Sequence, residues 1–359
     1  MSYGVRLLDG LEAMIEGANP RRFRLGLVLP MSGVIGLAGP SALEVVTLAG
    51  RELQNSATSF DRGLEFVLVD SGGPPRRVAE RVADLAHSHA VDAFVGLHTS
   101  DVLEEIERAL AHHPVPYVFT PGHEDAHRLP GFYCSGEPPQ VMAAGLARVI
   151  AERQVNEWAI VGTDYVWPRA MRDSARAVIE AAGGRVVLDR LLPLATVRRE
   201  LPRFMDELIR SGARGVIVNM PGRDLSTTLL AIRARGLDKA LVRFSGSLEE
   251  NALYALGGDR SGNLYSTSHS FESLESPRHQ ELNDKYRFAF GDESPVLNSW
   301  AEHCYDGVHL LAGLERSGLL STTSLDSRPD NPTPAEAIRL RPQYESHLAV
   351  AVGMTFEVL

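Results

Sequence analysis

The chain has 359 residues, with 44% apolar and 23% charged side chains. At ~150 residues per domain this length predicts two domains of a globular protein with a sizeable core. The 36 basic residues are outnumbered by 46 acidic ones, giving a net charge of −10, which disfavours general binding to nucleic acid or acidic lipid. No apolar run approaches the ~20 residues of a membrane span.

The first 22 residues form a separate segment in this interpretation. Apolar residues at spacings of three and four predict a short amphipathic helix that ends near Pro20; they are Val5, Leu8, Leu11 and Ile15. We therefore expect residues 1–22 to be an N-terminal helical extension. Acidic residues interrupt the region where the apolar stretch of a secretory signal would lie, which favours a cytoplasmic location. Removal of a leader would instead favour a periplasmic or extracellular one.

From residue 23 onward, short apolar runs alternate with helical periodicity. In the first half the predicted strands are residues 25–29, 64–69, 93–95 and 117–119, and the predicted helices are 40–53, 76–87 and 101–110. Such alternation is typical of βαβ units in a parallel sheet covered by helices on both faces.

The same rhythm begins again after residue 137. Strands are predicted at residues 158–161, 185–190, 215–218 and 242–244, and residues 346–359 predict a hairpin that turns near Gly353. The fold class is therefore α/β, with two doubly wound parallel-sheet lobes and a ligand cleft between them. Lobe 1 is predicted to comprise 23–137 plus about 269–325, and lobe 2 to comprise 138–268 plus about 335–359.

In open parallel sheets, ligands bind beyond the carboxyl ends of the strands. The loops at these positions hold small hydroxyls in the first half and aromatic residues in the second; they are His98-Thr99-Ser100, Thr120-Pro121 and Tyr165-Val166-Trp167-Pro168. This combination suits a small polar ligand held between lobes. Ser100 as a helix N-cap and Trp167-Pro168 as a packed helix entry are the structural alternatives.

Motifs for catalysis, metals and nucleotides fit poorly. Gly33, Gly36 and Gly39 have the wrong spacing for a dinucleotide site, and the H-E-x-x-H match at residues 123–127 lacks room for a long helix. A nucleophile elbow, a P-loop and a C-x-x-C motif are absent from the sequence. We therefore expect no catalytic residue, metal or cofactor. An amide hydrolase that uses His98 and Ser100 is a lower-ranked alternative, because the sequence supplies no third orienting group.

The same segments resemble the type I periplasmic-binding-protein fold, in its Leu/Ile/Val-binding branch. The resemblance is nearest to amide- and urea-binding members and to the cytoplasmic aliphatic-amide sensor. Its most specific carrier is the run Val161-Gly162-Thr163-Asp164-Tyr165-Val166-Trp167-Pro168-Arg169; further support comes from residues 95–100, 119–121, 135–140 and 299–302.

The resemblance implies roles for particular residues. Ser100 and Thr120 would hydrogen-bond the ligand, while Tyr165 and Trp167 would close over it and Pro168 would shape the wall. The loop after Phe244 would add a contact from its Ser245-Gly246-Ser247 segment.

Two positions bear on the ligand class. Glu249 lies near the place where amino-acid binders hold the ligand's ammonium group, so an amino-acid ligand stays open. His98 replaces a tyrosine of the amide sensor, and an imidazole that titrates near neutrality would favour a different or anionic ligand.

The resemblance therefore predicts a non-catalytic ligand-binding protein or sensor that signals by lobe closure. Its ligand would be a short-chain amide, a urea-like compound or an amino acid. A sensor would pass the signal to a regulatory protein such as an RNA-binding antiterminator, without itself contacting nucleic acid. The alternative is the receptor of an ABC importer with a permease partner, and a homodimer stays open in both cases.

Overall fold

The computed structural model describes residues 5–55, 62–113, 115–124, 131–194, 196–320 and 346–359. The chain divides into two compact units. The described residues of unit 1 fall in 5–136 and 284–320, and those of unit 2 fall in 137–283 and 346–359. The return to unit 1 at Asp284 is later than the predicted position near 269, and the predicted return to lobe 2 near 335 lies outside the described residues.

The helices and strands follow one another in βα order over most of the described chain. The strands are β1 (Arg6–Asp9), β2 (Arg22–Leu29), β3 (Gly63–Asp70), β4 (Ala93–Gly96), β5 (Tyr117–Phe119), β6 (Phe132–Cys134), β7 (Glu157–Thr163), β8 (Arg185–Leu192), β9 (Gly215–Asn219), β10 (Val242–Ser245), β11 (Leu264–Ser268), β12 (His347–Val352) and β13 (Thr355–Val358). The α-helices are α1 (Gly10–Glu16), α2 (Gly39–Asn55), α3 (Pro75–His87), α4 (Ser100–Leu110), α5 (Pro139–Arg153), α6 (Val166–Ala181), α7 (Val197–Ser211), α8 (Gly222–Ala234), α9 (Glu250–Ala255), α10 (Pro277–Phe290) and α11 (Ser299–Arg316).

Unit 1 contains a parallel sheet of six strands in the order β1-β3-β2-β4-β5-β6. Apolar side chains from the sheet pack against α3 and α4 on one face, and α2 and α11 pack against each other and against the sheet. This confirms the predicted doubly wound arrangement for the first half of the chain.

The prediction that residues 1–22 are a purely helical extension is wrong for the described residues 5–22. Arg6–Asp9 is an edge strand that pairs in parallel with β3, and the helix is confined to Gly10–Glu16, where the Asp9 side chain accepts a hydrogen bond from Glu12 N. Leu8 is buried in the unit 1 core, but Leu11 and Ile15 are exposed. The apolar spacing therefore does not mark the buried face of α1.

A buried ion pair fixes this edge of unit 1. Arg24 Nε donates to Glu65 Oε2 at 2.8 Å between neighbouring strands β2 and β3, and both side chains are buried. The Arg24 guanidinium also contacts Glu16 and donates to the Gly17 carbonyl at 2.8 Å. The pair thereby ties the end of α1 to the sheet.

Unit 2 contains a seven-stranded sheet in the order β13-β12-β11-β10-β9-β7-β8. The five strands β7, β8, β9, β10 and β11 are parallel, and the predicted terminal hairpin is confirmed as the antiparallel pair β12 and β13. Separate apolar clusters cover the two faces of this sheet, one with α5 and α6 and the other with α7, α8 and α9. Among the described helices, none is long and apolar enough to cross a membrane.

Candidate functional site

The first loop of interest in unit 1 follows β4 and contains His98. This imidazole is 1% exposed, and its Nε2 lies 2.5 Å from the Tyr117 hydroxyl. Its Nδ1 is 3.1 Å from the Thr99 carbonyl oxygen, and the ring packs against Phe119. The tyrosine hydroxyl and the backbone therefore occupy both ring nitrogens.

His98 does not titrate near neutrality. Burial lowers the pKa of its imidazole to about 4, because removal from water disfavours the charged form. The expectation that this histidine favours an anionic ligand is therefore wrong: the ring is neutral at physiological pH.

The next two residues begin α4. The N-cap residue is Thr99, which has extended backbone and makes no side-chain capping bond. The prediction of Ser100 as the N-cap is therefore wrong by one residue, because Ser100 is the first residue of α4. The Ser100 hydroxyl donates to Glu124 Oε1 at 3.0 Å. The described contacts of His98 and Ser100 lead to different partners, which disfavours a nucleophile–base pair between them.

Thr120 follows β5 and is buried in unit 1. Its hydroxyl donates to the Gly96 carbonyl at 3.1 Å and lies 3.4 Å from Cys304 Sγ. Its remaining hydrogen-bonding capacity is that of an acceptor. The adjoining Pro121 carbonyl packs closely on Gly136, where an added Cβ would lie 2.2 Å from that oxygen.

In unit 2 the predicted aromatic residues belong to one apolar cluster. Tyr165 is the N-cap residue of α6, and Trp167 is in its first turn. Both pack with Met142 of α5 and Met171 of α6. Trp167 is 6% exposed, and its indole N–H has no hydrogen-bond partner within the described chain. The next residue, Pro168, is buried at the helix entry.

Gly246 brings the second predicted loop to this cluster. A Cβ at Gly246 would lie 2.8 Å from Met171 Cε and 3.3 Å from Met142 Cβ. The two sequence-distant segments therefore meet within unit 2. On either side, Ser247 N donates to Ser245 Oγ at 3.3 Å, and the Ser247 hydroxyl donates to the Met220 carbonyl at 2.7 Å.

Glu249 has a structural role that the sequence did not predict. It is the N-cap residue of α9, and its carboxylate accepts hydrogen bonds from Asn251 N at 2.8 Å and Ala252 N at 2.9 Å. A carboxylate engaged in this way is less available to a ligand's ammonium group.

Two residues that sequence reasoning missed lie at the carboxyl edge of the unit 2 sheet. Thr163 ends β7 and Asn219 ends β9, and both side chains are fully buried. Neither the Thr163 hydroxyl nor the Asn219 carboxamide has a hydrogen-bond partner among the described residues. The available signal was a polar residue that directly follows the apolar run Val216–Val218 at the ligand-binding edge.

Two parallel-sheet units with polar residues at the strand carboxyl ends are typical of a two-lobed binding protein. The chain belongs to the Periplasmic binding protein family, whose model matches residues 22–331. It is 30% identical over 172 residues to the Leu/Ile/Val-binding protein homolog 6 of Brucella suis, and equally to that of Brucella melitensis. The match covers 46% of this chain and 43% of each relative, so it spans less than half of the curated relatives' length.

Solved structures share the fold over nearly the whole chain. A solute-binding protein of an ABC transporter from R. palustris, in complex with 4-hydroxybenzoate, has a TM-score of 0.76 and 18% identity, covering 94% of this chain and 97% of that one. The branched-chain amino acid transporter substrate-binding protein LivJ from Streptococcus pneumoniae, in complex with isoleucine, has a TM-score of 0.74 and 16% identity, covering 94% and 99%. The predicted fold class is confirmed; the amide-sensor resemblance stays a prediction.

Proposed function

We propose that the protein binds a small polar molecule without transforming it, through the aromatic cluster and the Ser245–Ser247 loop of unit 2. The observation that carries the proposal is the buried indole N–H of Trp167, which has no hydrogen-bond partner among the described residues at the carboxyl edge of a parallel sheet. A buried donor without a partner costs ~1–3 kcal/mol, so its retention beside Tyr165 favours a ligand acceptor there.

The candidate ligands are short-chain amides, urea-like compounds and amino acids, and the solved relatives add aromatic carboxylates. The cation that follows Trp167 most closely in the chain is Arg169, which is exposed and pairs with Asp164 at 2.8 Å. An anionic ligand would have to compete with this ion pair. The Glu249 capping bonds likewise disfavour recognition of an ammonium group from this loop.

The hydrolase alternative is disfavoured by the contacts of its two candidate residues. Ser100 donates to Glu124, and His98 contacts Tyr117. Release of ammonia from acetamide or urea by the wild-type protein, abolished in Ser100→Ala, would overturn this ranking.

One experiment tests the partner and the cellular location together. The solved ABC-transporter relatives favour a permease partner, whereas the amide-sensor resemblance favours a cytoplasmic regulator such as an RNA-binding antiterminator. Cells that express the tagged protein from its native gene would be fractionated and analysed by crosslinking and mass spectrometry. This experiment distinguishes the importer receptor from the cytoplasmic sensor. A periplasmic or extracellular protein crosslinked to a permease would refute the sensor, and a cytoplasmic one crosslinked to a soluble regulator would refute the receptor.

Ligand binding itself is testable by a thermal-shift screen followed by calorimetry. The panel would contain acetamide, propionamide, urea, isoleucine and 4-hydroxybenzoate. A ligand present at a hundred times its Kd adds ~2.7 kcal/mol to the stability of the native state, which is readily visible. Absence of a shift with every member would contradict the proposed function.

Trp167→Phe then tests the site, because it removes the indole N–H while keeping an aromatic ring. We expect the Kd of the ligand to rise about tenfold. Trp158→Phe is the matched control, since the buried Trp158 indole donates to the Val155 carbonyl at 3.0 Å within the same unit. The control should lose stability and keep its affinity; equal affinity in both variants would place the site elsewhere.

Tyr165→Ala and Thr120→Val would remove two of the predicted ligand contacts, but they are poor tests of ligand binding. Both residues are buried, and Thr120 supplies an internal hydrogen bond. Their truncation would lower stability together with binding. Tyr165→Phe, which keeps the ring in its cluster, separates the two effects better.

A further inference from the structure

Asn219 is the polar residue at the carboxyl edge of unit 2 with the least satisfied side chain. It is 0% exposed, and both Oδ1 and Nδ2 lack a hydrogen-bond partner in the part of the chain that the structure describes. A carboxamide carries two donors and one acceptor oxygen, so its burial without a partner is costly. If the residue served only to pack the interior, an apolar side chain would cost less free energy to bury at this position.

Glycines, which carry no side chain, lie on both sides of Asn219 at this edge of the sheet. In β7 the residue in register with it is Gly162, and residues in register on parallel strands point to the same face. On the other side, the register of β9 with β10 ends at the pair of Ile217 with Phe244, and Gly246 comes two residues later, directly after β10. Asn219 therefore has Gly162 beside it in β7, and on its other side the chain of β10 continues into Gly246.

Helical residues stand close above these glycines. An added Cβ would lie 3.3 Å from Pro168 Cβ at Gly162, and 2.8 Å from Met171 Cε at Gly246. These two positions lie on the face covered by α5 and α6, which is also the face of the Tyr165 and Trp167 cluster. The carboxamide of Asn219 is thus on the same face as the Trp167 indole N–H, which also has no hydrogen-bond partner among the described residues.

Both of these polar groups on the α5 and α6 face are uncharged. The Asn219 carboxamide supplies a donor and an acceptor side by side, and the Trp167 indole supplies a second donor. A ligand group that matches Asn219 has one acceptor and one N–H donor in the same plane, as in a carboxamide or urea. Burial of an ionised ammonium or carboxylate group is costly unless a charged partner or several hydrogen bonds compensate for the lost water.

We infer that Asn219 determines the specificity of the proposed site by pairing with a carboxamide or urea group of the ligand through two hydrogen bonds. The inference rests on the proposed binding function and narrows its ligand to the uncharged amide class. It predicts that propionamide binds the wild-type protein, whereas the cation propionamidine, which has donors only, binds far more weakly.

Asn219→Asp tests this pairing with little change of shape. The aspartate replaces the amide donor by an anionic acceptor, so propionamide should lose about tenfold or more in affinity and propionamidine should gain. Asn263→Asp is the matched control, because it adds the same charge to the same unit at a half-buried position away from the proposed site. There Asn263 Nδ2 donates to the Lys239 carbonyl at 2.9 Å, and Oδ1 accepts from Arg153 at 2.5 Å. The control should leave both ligands unchanged.

Asn219→Val is a second variant, which keeps the inference falsifiable if the buried aspartate prevents folding. It removes an unpartnered carboxamide from the interior, so the ligand-free protein should melt at the same or a higher temperature while propionamide binding is lost. A lower melting temperature with normal propionamide binding would mean that Asn219 is structural and would overturn the inference.

The panel distinguishes the two failures. Binding of isoleucine or 4-hydroxybenzoate without any amide or urea would overturn the role of Asn219 and leave the binding function standing. Unchanged propionamide affinity in Asn219→Val, with reduced affinity in Trp167→Phe, would do the same. Binding of no panel member would contradict the binding function itself.

Discussion

Glu250 should make the protein less stable as the pH rises through neutrality. This carboxyl in α9 is buried; its Oε1 accepts a hydrogen bond from Glu272 N at 2.8 Å, and its Oε2 has no partner among the described residues. Burial, with a smaller contribution from the neighbouring Glu249 carboxylate, raises the pKa of Glu250 from 4.5 to about 8. The native protein therefore retains a proton here at pH 7.

The sign of the effect follows from proton binding. Between pH 4.5 and about 8 the unfolded chain has lost the Glu250 proton and the native protein has kept it. The unfolded state binds fewer protons, so the free energy of unfolding falls as the pH rises across this interval. At ~1.4 kcal/mol per pH unit the loss is about 5 kcal/mol at most, because local rearrangement relieves part of it.

Glu250→Gln should remove this dependence. The glutamine keeps an acceptor for Glu272 N and carries no titrating group, so the variant should gain stability relative to wild type between pH 5 and pH 8.5. Urea unfolding at each pH, followed by a probe in unit 2, measures the difference.

The matched control is Glu152→Gln, which removes an exposed carboxylate of the same unit that pairs with Arg148. Its difference from wild type should be nearly constant with pH. If the stability difference between Glu250→Gln and wild type were also constant with pH, the argument would be refuted. That result would show that the Glu250 carboxyl ionises in the native state as it does in the unfolded chain.

Three further predictions concern unit 1. Because burial lowers the pKa of His98 to about 4, the wild-type protein should lose up to about 3 kcal/mol of stability as the pH falls from 6.5 to 4. Urea unfolding should show a smaller loss in His98→Gln, and equal losses would contradict a neutral imidazole in the native state. Gly33→Ala should destabilise the protein by about 2 kcal/mol or more, since Gly33 has φ +80° and an added Cβ would lie 2.5 Å from the Gly72 carbonyl oxygen. An unchanged melting temperature would show that the backbone segments at Gly33 and Gly72 can move apart. Arg24→Met should cost about 1–3 kcal/mol, because it removes the 2.8 Å partner of the buried Glu65 carboxylate and leaves only the longer contacts with Arg22 and Arg6 at 3.5 and 3.6 Å. The double variant with Glu65→Leu should recover much of the loss in chemical denaturation. A double variant no more stable than the single one would show that the buried charge is not the cause.

The alternation of apolar runs and helical periodicity was enough to predict two α/β units, because each βα repeat needs a strand-length apolar core run and an amphipathic helix in that order. The same local logic predicted the terminal hairpin around Gly353, which the pairing of β12 and β13 confirms. It failed for Arg6–Asp9, because a four-residue edge strand is too short to leave a period.

For the candidate site, the sequence indicated which loops lie at strand carboxyl ends, and it selected Tyr165, Trp167 and Gly246. Only the tertiary structure joins these loops, since the contact of Gly246 with Met171 depends on packing between α6 and the loop after β10.

The ionisation and satisfaction of polar groups were likewise decided by the tertiary structure. Sequence identifies His98 as an imidazole, Glu249 as a carboxylate and Asn219 as a strand-end amide, but it gives neither their burial nor their partners. Burial makes the first neutral, and two backbone N–H groups engage the second. The third is enclosed without a hydrogen-bond partner in the part of the chain that the structure describes. The physical reason is that solvation and hydrogen bonding depend on residues distant in the chain, whereas the periodicity that specifies strands and helices is local.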